Sequence, residues 1–114
     1  MDKQKLSLFL DRLLEKTEAG ELEWQTTIGR NTFLVALKDT AISITKRSDD
    51  RYSFDCRNYM GDTVESVDVS EIPEANARFR SGKFEKAGKI YELAKKQSLK
   101  TDETVDRILE QLAA

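Results

Sequence analysis

The sequence contains no histidine, one cysteine and one proline among its 114 residues. The lack of histidine excludes Ser-His and Cys-His catalysis, acid–base catalysis by histidine and the usual zinc sites. With Cys56 as the single cysteine, no disulfide can form within the chain, which is typical of proteins from a reducing compartment. We therefore expect a cytoplasmic protein.

Long apolar runs are also missing. No stretch approaches the roughly 20 apolar residues that a membrane-spanning helix needs. The apolar run at residues 6–10 is interrupted at once by Asp11 and Arg12, so we predict no signal peptide and no membrane partner. The length and the balance of 35% charged and 39% apolar residues predict one globular domain over residues 1–114.

The sequence has no segment in which the residues of a known catalytic or ligand-binding motif occur at the required spacing. Residues 82–90 superficially suggest a phosphate-binding loop, but the glycines are one residue too far apart and Ile90 replaces the magnesium-binding hydroxyl. No segment has the ligand spacing of a calcium loop, and no Glu-x-Lys follows an acidic strand as in metal-dependent nucleases. We predict no catalytic residue, no metal site and no cofactor.

The strongest positive signal is a run of three segments with alternating side chains, at residues 32–37, 41–45 and 52–57. Strict alternation with short polar connections predicts an antiparallel meander that buries one face. Phe33 and Ile44 lie on the expected buried face, and Ser43 on the opposite one. Cys56 shares the parity of Phe54, which favours a small core residue over a reactive thiol.

Weaker patterns extend this sheet on both sides. Residues 21–26 alternate and predict a short strand or extended edge. Val64, Val67 and Val69 form a last strand whose parity slips, which indicates a bulge, and Pro73 closes the sheet region. The segment 32–37 is apolar on both sides, so Leu34 is expected to be covered either by a second layer or by a second subunit.

Three amphipathic helices surround the meander. The first carries an apolar stripe, is capped by Asp2 and ends at Gly20. The second contains Tyr91, and the third is capped by Thr101. The stripes of these helices are Leu6, Phe9, Leu10, Leu13 and Leu14; Phe84, Ala87, Tyr91 and Ala94; and Val105, Ile108, Leu109 and Leu112. The predicted fold class is α+β, with an N-terminal helix, an antiparallel meander of three to five strands and two C-terminal helices.

Both ends of the chain carry a recognisable pattern, at residues 13–17, Gly20, Leu22, Trp24, 31–33 and, in the tail, 90–94 with the acidic helix that follows. In these residues the chain resembles a family of small bacterial proteins to which no activity is assigned. The resemblance implies a bacterial origin. It carries over no functional residue.

The charges are distributed unevenly. Residues 78–100, the basic segment, hold eight lysines and arginines against two glutamates, whereas the whole chain has a net charge of −2. Arg78, Arg80, Lys83, Lys86 and Lys89 are the candidate partner-binding residues. Such a run is most often a solvated helix face, and otherwise it contacts an acidic partner.

These observations favour a non-catalytic protein-interaction module of a bacterial or phage cytoplasm, such as an immunity or inhibitor-like protein or an assembly subunit. Its expected partner is an acidic protein or a second copy of the chain. The alternative is a nucleic-acid-associated protein that uses the basic segment, which the pI near 5.3 and the acidic last helix disfavour. A small enzyme is the third reading.

Overall fold

The computed structural model describes residues 1–71 and 82–113, and within them the predicted α+β architecture is confirmed. A helix precedes a five-stranded sheet, and two helices follow it. The elements are α1 (Lys3–Glu18), β1 (Trp24–Thr26), β2 (Thr32–Ala36), β3 (Ala41–Ser48), β4 (Arg51–Arg57), β5 (Thr63–Ser70), α2 (Lys83–Ser98) and α3 (Thr101–Ala113).

The sheet is a simple meander in which each strand pairs with its neighbours in the sequence, in the order β1-β2-β3-β4-β5. Every pairing is antiparallel, and the register places apolar residues opposite one another, as in Phe33 with Ile44 and Ile44 with Phe54. This register puts the buried apolar residues of all five strands on one face, here called the inner face.

The strand boundaries differ from the prediction where polar residues continue the backbone pairing between two strands. β3 extends to Ser48, because Lys46 still pairs with Tyr52 on β4. Leu37 lies beyond the end of β2 and is 40% exposed, so the strand is one residue shorter than the predicted segment. The predicted bulge is confirmed, since Cys56 pairs with Glu65 whereas Arg57 pairs with Thr63. Pro73 lies outside the described residues.

The two ends of α1 follow their sequence signals. The carboxylate of Asp2 accepts a hydrogen bond from the backbone N–H of Lys5 at 2.7 Å and so caps the helix. At the other end Gly20 has φ +72°. The backbone N–H of Glu21 donates to the carbonyl of Lys16, and that of Gly20 to Thr17, which is the Schellman arrangement that favours glycine.

Helices α1 and α2 pack side by side on the inner face and form the core with it. Tyr91 lies at the centre of this contact, 1% exposed, with its ring 5.6 Å from Phe33 and 5.5 Å from Tyr52. Phe9 of α1 packs edge-on against Phe54 at 5.5 Å. Gly88 leaves room for the Tyr52 hydroxyl, which would lie 3.4 Å from a Cβ at that position.

Hydrogen bonds from both helices hold the edge strand β1. The indole N–H of Trp24 donates to the hydroxyl of Thr17 at 3.2 Å. The side-chain amide of Gln97 reaches the backbone twice: its Nε2 donates to the carbonyl of Leu22 at 2.8 Å, and its Oε1 accepts from the N–H of Trp24 at 3.3 Å. Gln97 thus bonds β1 as a neighbouring strand would, which explains how a strand of three residues is held.

No helix among the described residues covers the outer face of the sheet, where Leu34 is half-buried. Ser43 and Ser53 lie on this face yet are each only 4% exposed, so the expectation that this side of the sheet is solvated was wrong for them. The Ser53 hydroxyl donates to Asp68 at 2.6 Å and accepts from Arg47 Nε at 3.1 Å. Longer neighbours therefore shield these small side chains.

We predict that Ile44→Ala destabilises the protein by about 2–5 kcal/mol, because Ile44 is fully buried between the sheet and the helices. Ser43→Ala, one residue away on the outer face, is expected to cost about 1 kcal/mol or less. Denaturant unfolding of the two variants measures both effects. Equal sensitivity of Ser43 and Ile44 would contradict the assigned strand parity.

Gln97→Ala should cost about 1–2 kcal/mol, since it removes two hydrogen bonds to the backbone of β1. Gln97→Glu should be comparably destabilising at neutral pH, because a carboxylate would face the Leu22 carbonyl in place of a donor. Unfolding curves give the free energies, and faster hydrogen exchange at the Trp24 amide would locate the damage. Wild-type exchange at Trp24 in both variants would argue against this role.

Candidate contact surfaces

The structure describes part of the predicted basic segment. Arg78 and Arg80 lie outside the described residues. Lys83 is the first residue of α2 and is half-buried, Lys86 follows one turn later, and Lys89 is exposed. At i, i+3 and i+6 of one helix, these three lysines form an oblique row rather than a single face.

Two lysines of the basic segment are engaged with carboxylates of the same chain. Lys86 Nζ lies 2.5 Å from Asp11 of α1, and this pair bridges the two helices of the core layer. Lys96 Nζ lies 3.7 Å from Asp102 at the start of α3. Both pairs are largely solvated, so they add little stability, but they reduce the positive field that the basic segment presents.

Helix α3 differs from the other two helices in having no buried residue. Among the described elements it contacts only α2, to which it is joined by Leu99 and Lys100. Its predicted cap was wrong: Thr101 is the first helical residue, and the carbonyl of Lys100 accepts the N–H of Thr104. Lys100 has φ +51°, a left-handed conformation that sets the direction in which α3 leaves α2.

The apolar stripe of α3, formed by Val105, Ile108, Leu109 and Leu112, is the main apolar surface that the described fold leaves uncovered on a helix. These side chains are 48%, 47%, 59% and 77% exposed, respectively. The sequence pattern indicates the stripe but does not say whether another element covers it. The predicted site residues did not include this helix, although four large apolar residues within eight positions were a signal that could have singled it out.

Cys56 is the one cysteine, and it lies half-buried on the inner face of β4 instead of fully buried as predicted. Burial raises the pKa of its thiol, and the neighbouring carboxylates of Glu65 and Asp55 raise it further. A raised pKa leaves less thiolate at neutral pH. The environment therefore suppresses the reactivity of this thiol.

A shallow depression of about 710 Å³ lies where the β2–β3 and β4–β5 turns meet. Lys38 and Arg57 line it together with Asp39, and Tyr59 at its border is 80% exposed. Charges of both signs are therefore mixed at its rim.

Within residues 1–71 and 82–113, no three carboxylate or thiol side chains lie close enough together to hold a metal ion. None of the helices in these ranges has the length and the apolar composition to cross a membrane.

Comparison of the chain with protein-family models, with curated proteins and with solved structures gives no match.

We predict that iodoacetamide alkylates Cys56 more slowly in the native protein than in concentrated urea, because the reagent reacts with the thiolate. The pH at which the native rate reaches half its maximum should lie above the ordinary value for cysteine, in the direction that burial shifts the pKa. Mass spectrometry of the alkylated protein measures both rates. A native rate equal to that in urea would contradict the assigned environment.

Proposed function

We propose that the chain is a non-catalytic protein-interaction module. The observation that carries this proposal is α3, which exposes four large apolar side chains on one stripe while the core beneath the sheet is complete without them. An exposed apolar stripe of this kind on a small domain marks a surface that another molecule covers. An inhibitor-like protein or a subunit of a larger cytoplasmic assembly fits this description.

The basic segment supplies a second surface beside the first. Its exposed lysines, among them Lys89 and Lys95, would attract an acidic protein and speed its encounter with α2. The opposite charges of the basic segment and α3 would also attract a second copy of the chain.

A nucleic-acid-associated role through the basic segment is less favoured. The pairs of Lys86 with Asp11 and Lys96 with Asp102 neutralise part of its charge. Helix α3 adds four carboxylates and one arginine directly beside it, which would repel a phosphate backbone.

The test of the interaction module is a quantitative pull-down from the source organism, using the tagged full chain and the double variant Ile108→Ser with Leu112→Ser. We expect recovery of the bound proteins to fall roughly tenfold or more, as for central interface residues. Ile28→Ser is the matched control, because Ile28 is 106% exposed in the β1–β2 turn. Identical partners and yields for wild type, double variant and control would contradict the proposal.

The role of the basic segment is tested by Arg80→Glu with Lys83→Glu. Folding, measured by denaturant unfolding, should be nearly unchanged, because Lys83 takes no part in the described core and such changes usually cost about 0.5 kcal/mol or less. Association with an acidic partner should become slower and less sensitive to salt. Arg12→Glu with Lys38→Glu changes the net charge equally elsewhere and should have a smaller effect.

Two results would count against that role. If both double variants slow association equally, the basic segment is a solvated helix face and not a contact site. Binding of a single-stranded oligonucleotide that weakens with salt and is lost only in the Arg80 and Lys83 variant would favour the nucleic-acid role instead.

A further inference from the structure

We propose that the partner of α3 is a basic amphipathic helix: a segment with its own apolar stripe bordered by lysine or arginine. This inference rests on the proposed function, since it names the chemistry of what the apolar stripe of α3 contacts.

Three of the four carboxylates of α3 lie on one side of its apolar stripe. Asp102 and Asp106 lie seven and three residues before Leu109, so they stand beside it on the helix surface. Glu110 continues this acidic row one turn after Asp106. Asp102 is 3.7 Å from Lys96, whereas Asp106 and Glu110 have no ion pair within the described part of the chain.

The other border of the stripe carries no carboxylate, and Arg107 lies just outside it, three residues after Thr104. Thr104 and Gln111 lie one turn before and one turn after Ile108, and both are polar without charge. A covering surface therefore meets carboxylates on one side of the apolar contact and neutral or positively charged groups on the other. Lysine or arginine on the matching side of the partner would satisfy the acidic row.

A second copy of the chain fits this surface poorly. In an antiparallel pair of α3 helices the same borders meet, so the acidic row of one copy would face that of the other. The basic surface of α2 would satisfy the charges, but none of its described side chains is a large exposed apolar residue that could cover Ile108 or Leu112. The partner must therefore offer an apolar stripe and basic groups together. Among the described helices α1 comes nearest, but it presents one exposed leucine, Leu8, between Lys5 and Arg12 and no apolar stripe.

The length of α3 supports recognition as a helix paired with a helix. It has 13 residues and no buried one, and an isolated helix of this length is marginal in water. Packing against an amphipathic partner would supply the apolar contact that α3 lacks in the free chain. Binding should therefore raise the helical content of α3 itself.

The test uses two fluorescent peptides of about 14 residues, roughly four turns: one of leucine and lysine in an amphipathic helical pattern, the other with every lysine replaced by glutamate. Anisotropy titrations with the full chain should show that the lysine peptide binds at least about tenfold more tightly than the glutamate peptide. Its affinity should fall with salt. Asp106→Lys with Glu110→Lys should reverse the preference between the two peptides.

Two control variants separate specific docking from general attraction to an acidic protein. Asp49→Lys with Asp39→Lys makes the same charge change in exposed turns, and Ile28→Ser removes an exposed apolar side chain elsewhere. Both should bind the lysine peptide within about twofold of wild type, as distant sites do. Ile108→Ser with Leu112→Ser should abolish binding of either peptide.

Equal affinity of the chain for the two peptides would overturn the proposal. So would a turn variant that loses as much affinity for the lysine peptide as the variant of Asp106 and Glu110 does. A third contrary result is that neither peptide binds and the chain dimerises through α3 in sedimentation. The last would assign the stripe to a second copy. If neither peptide binds but Ile108→Ser with Leu112→Ser still loses the proteins recovered in the pull-down, the interaction module stands and the basic helix is wrong.

Discussion

The packing of Tyr91 against the sheet is the contact on which the rest of the structure depends. Its ring touches Phe33 of β2 and Tyr52 of β4, so one side chain of α2 ties together strands at both sides of β3. Its hydroxyl donates to Asn31 Oδ1 at 3.3 Å, and Lys46 Nζ lies 5.8 Å from the ring centre. Burial raises the pKa of this phenol. The neutral ring is thus held at the centre of the helix–sheet interface.

That contact fixes where the later parts of the chain lie. With Tyr91 seated on the sheet, the C-terminal turn of α2 reaches the edge strand β1, where Gln97 bonds to Leu22 and Trp24. The core then ends with α2. Helix α3 begins after two residues, and nothing in the described part of the chain covers its apolar stripe. The packing of α1 and α2 on the sheet therefore supplies the stability, and the apolar stripe of α3 stays available to a partner.

Much of the fold could be predicted from the sequence because the inner face and the helices have regular periods. The alternation around Ile44 and the capping residue Asp2 each depend on neighbours close in the chain. The burial of Ser43 could not be predicted, because it depends on side chains from adjacent strands. The cap of α3 was missed because Lys100 adopts a conformation uncommon for lysine. A stripe such as that of α3 indicates an apolar face without saying what covers it.

Amide hydrogen exchange on the full chain, at concentrations where it is monomeric, tests the central claim most directly. If the core ends with α2, amides near Tyr91 and Ile44 should exchange only through global unfolding, whereas amides from Ile108 to Leu112 should exchange through a local opening of far lower free energy. Protection of α3 equal to that of α2 would contradict the account, because the apolar stripe would then be covered within the chain itself.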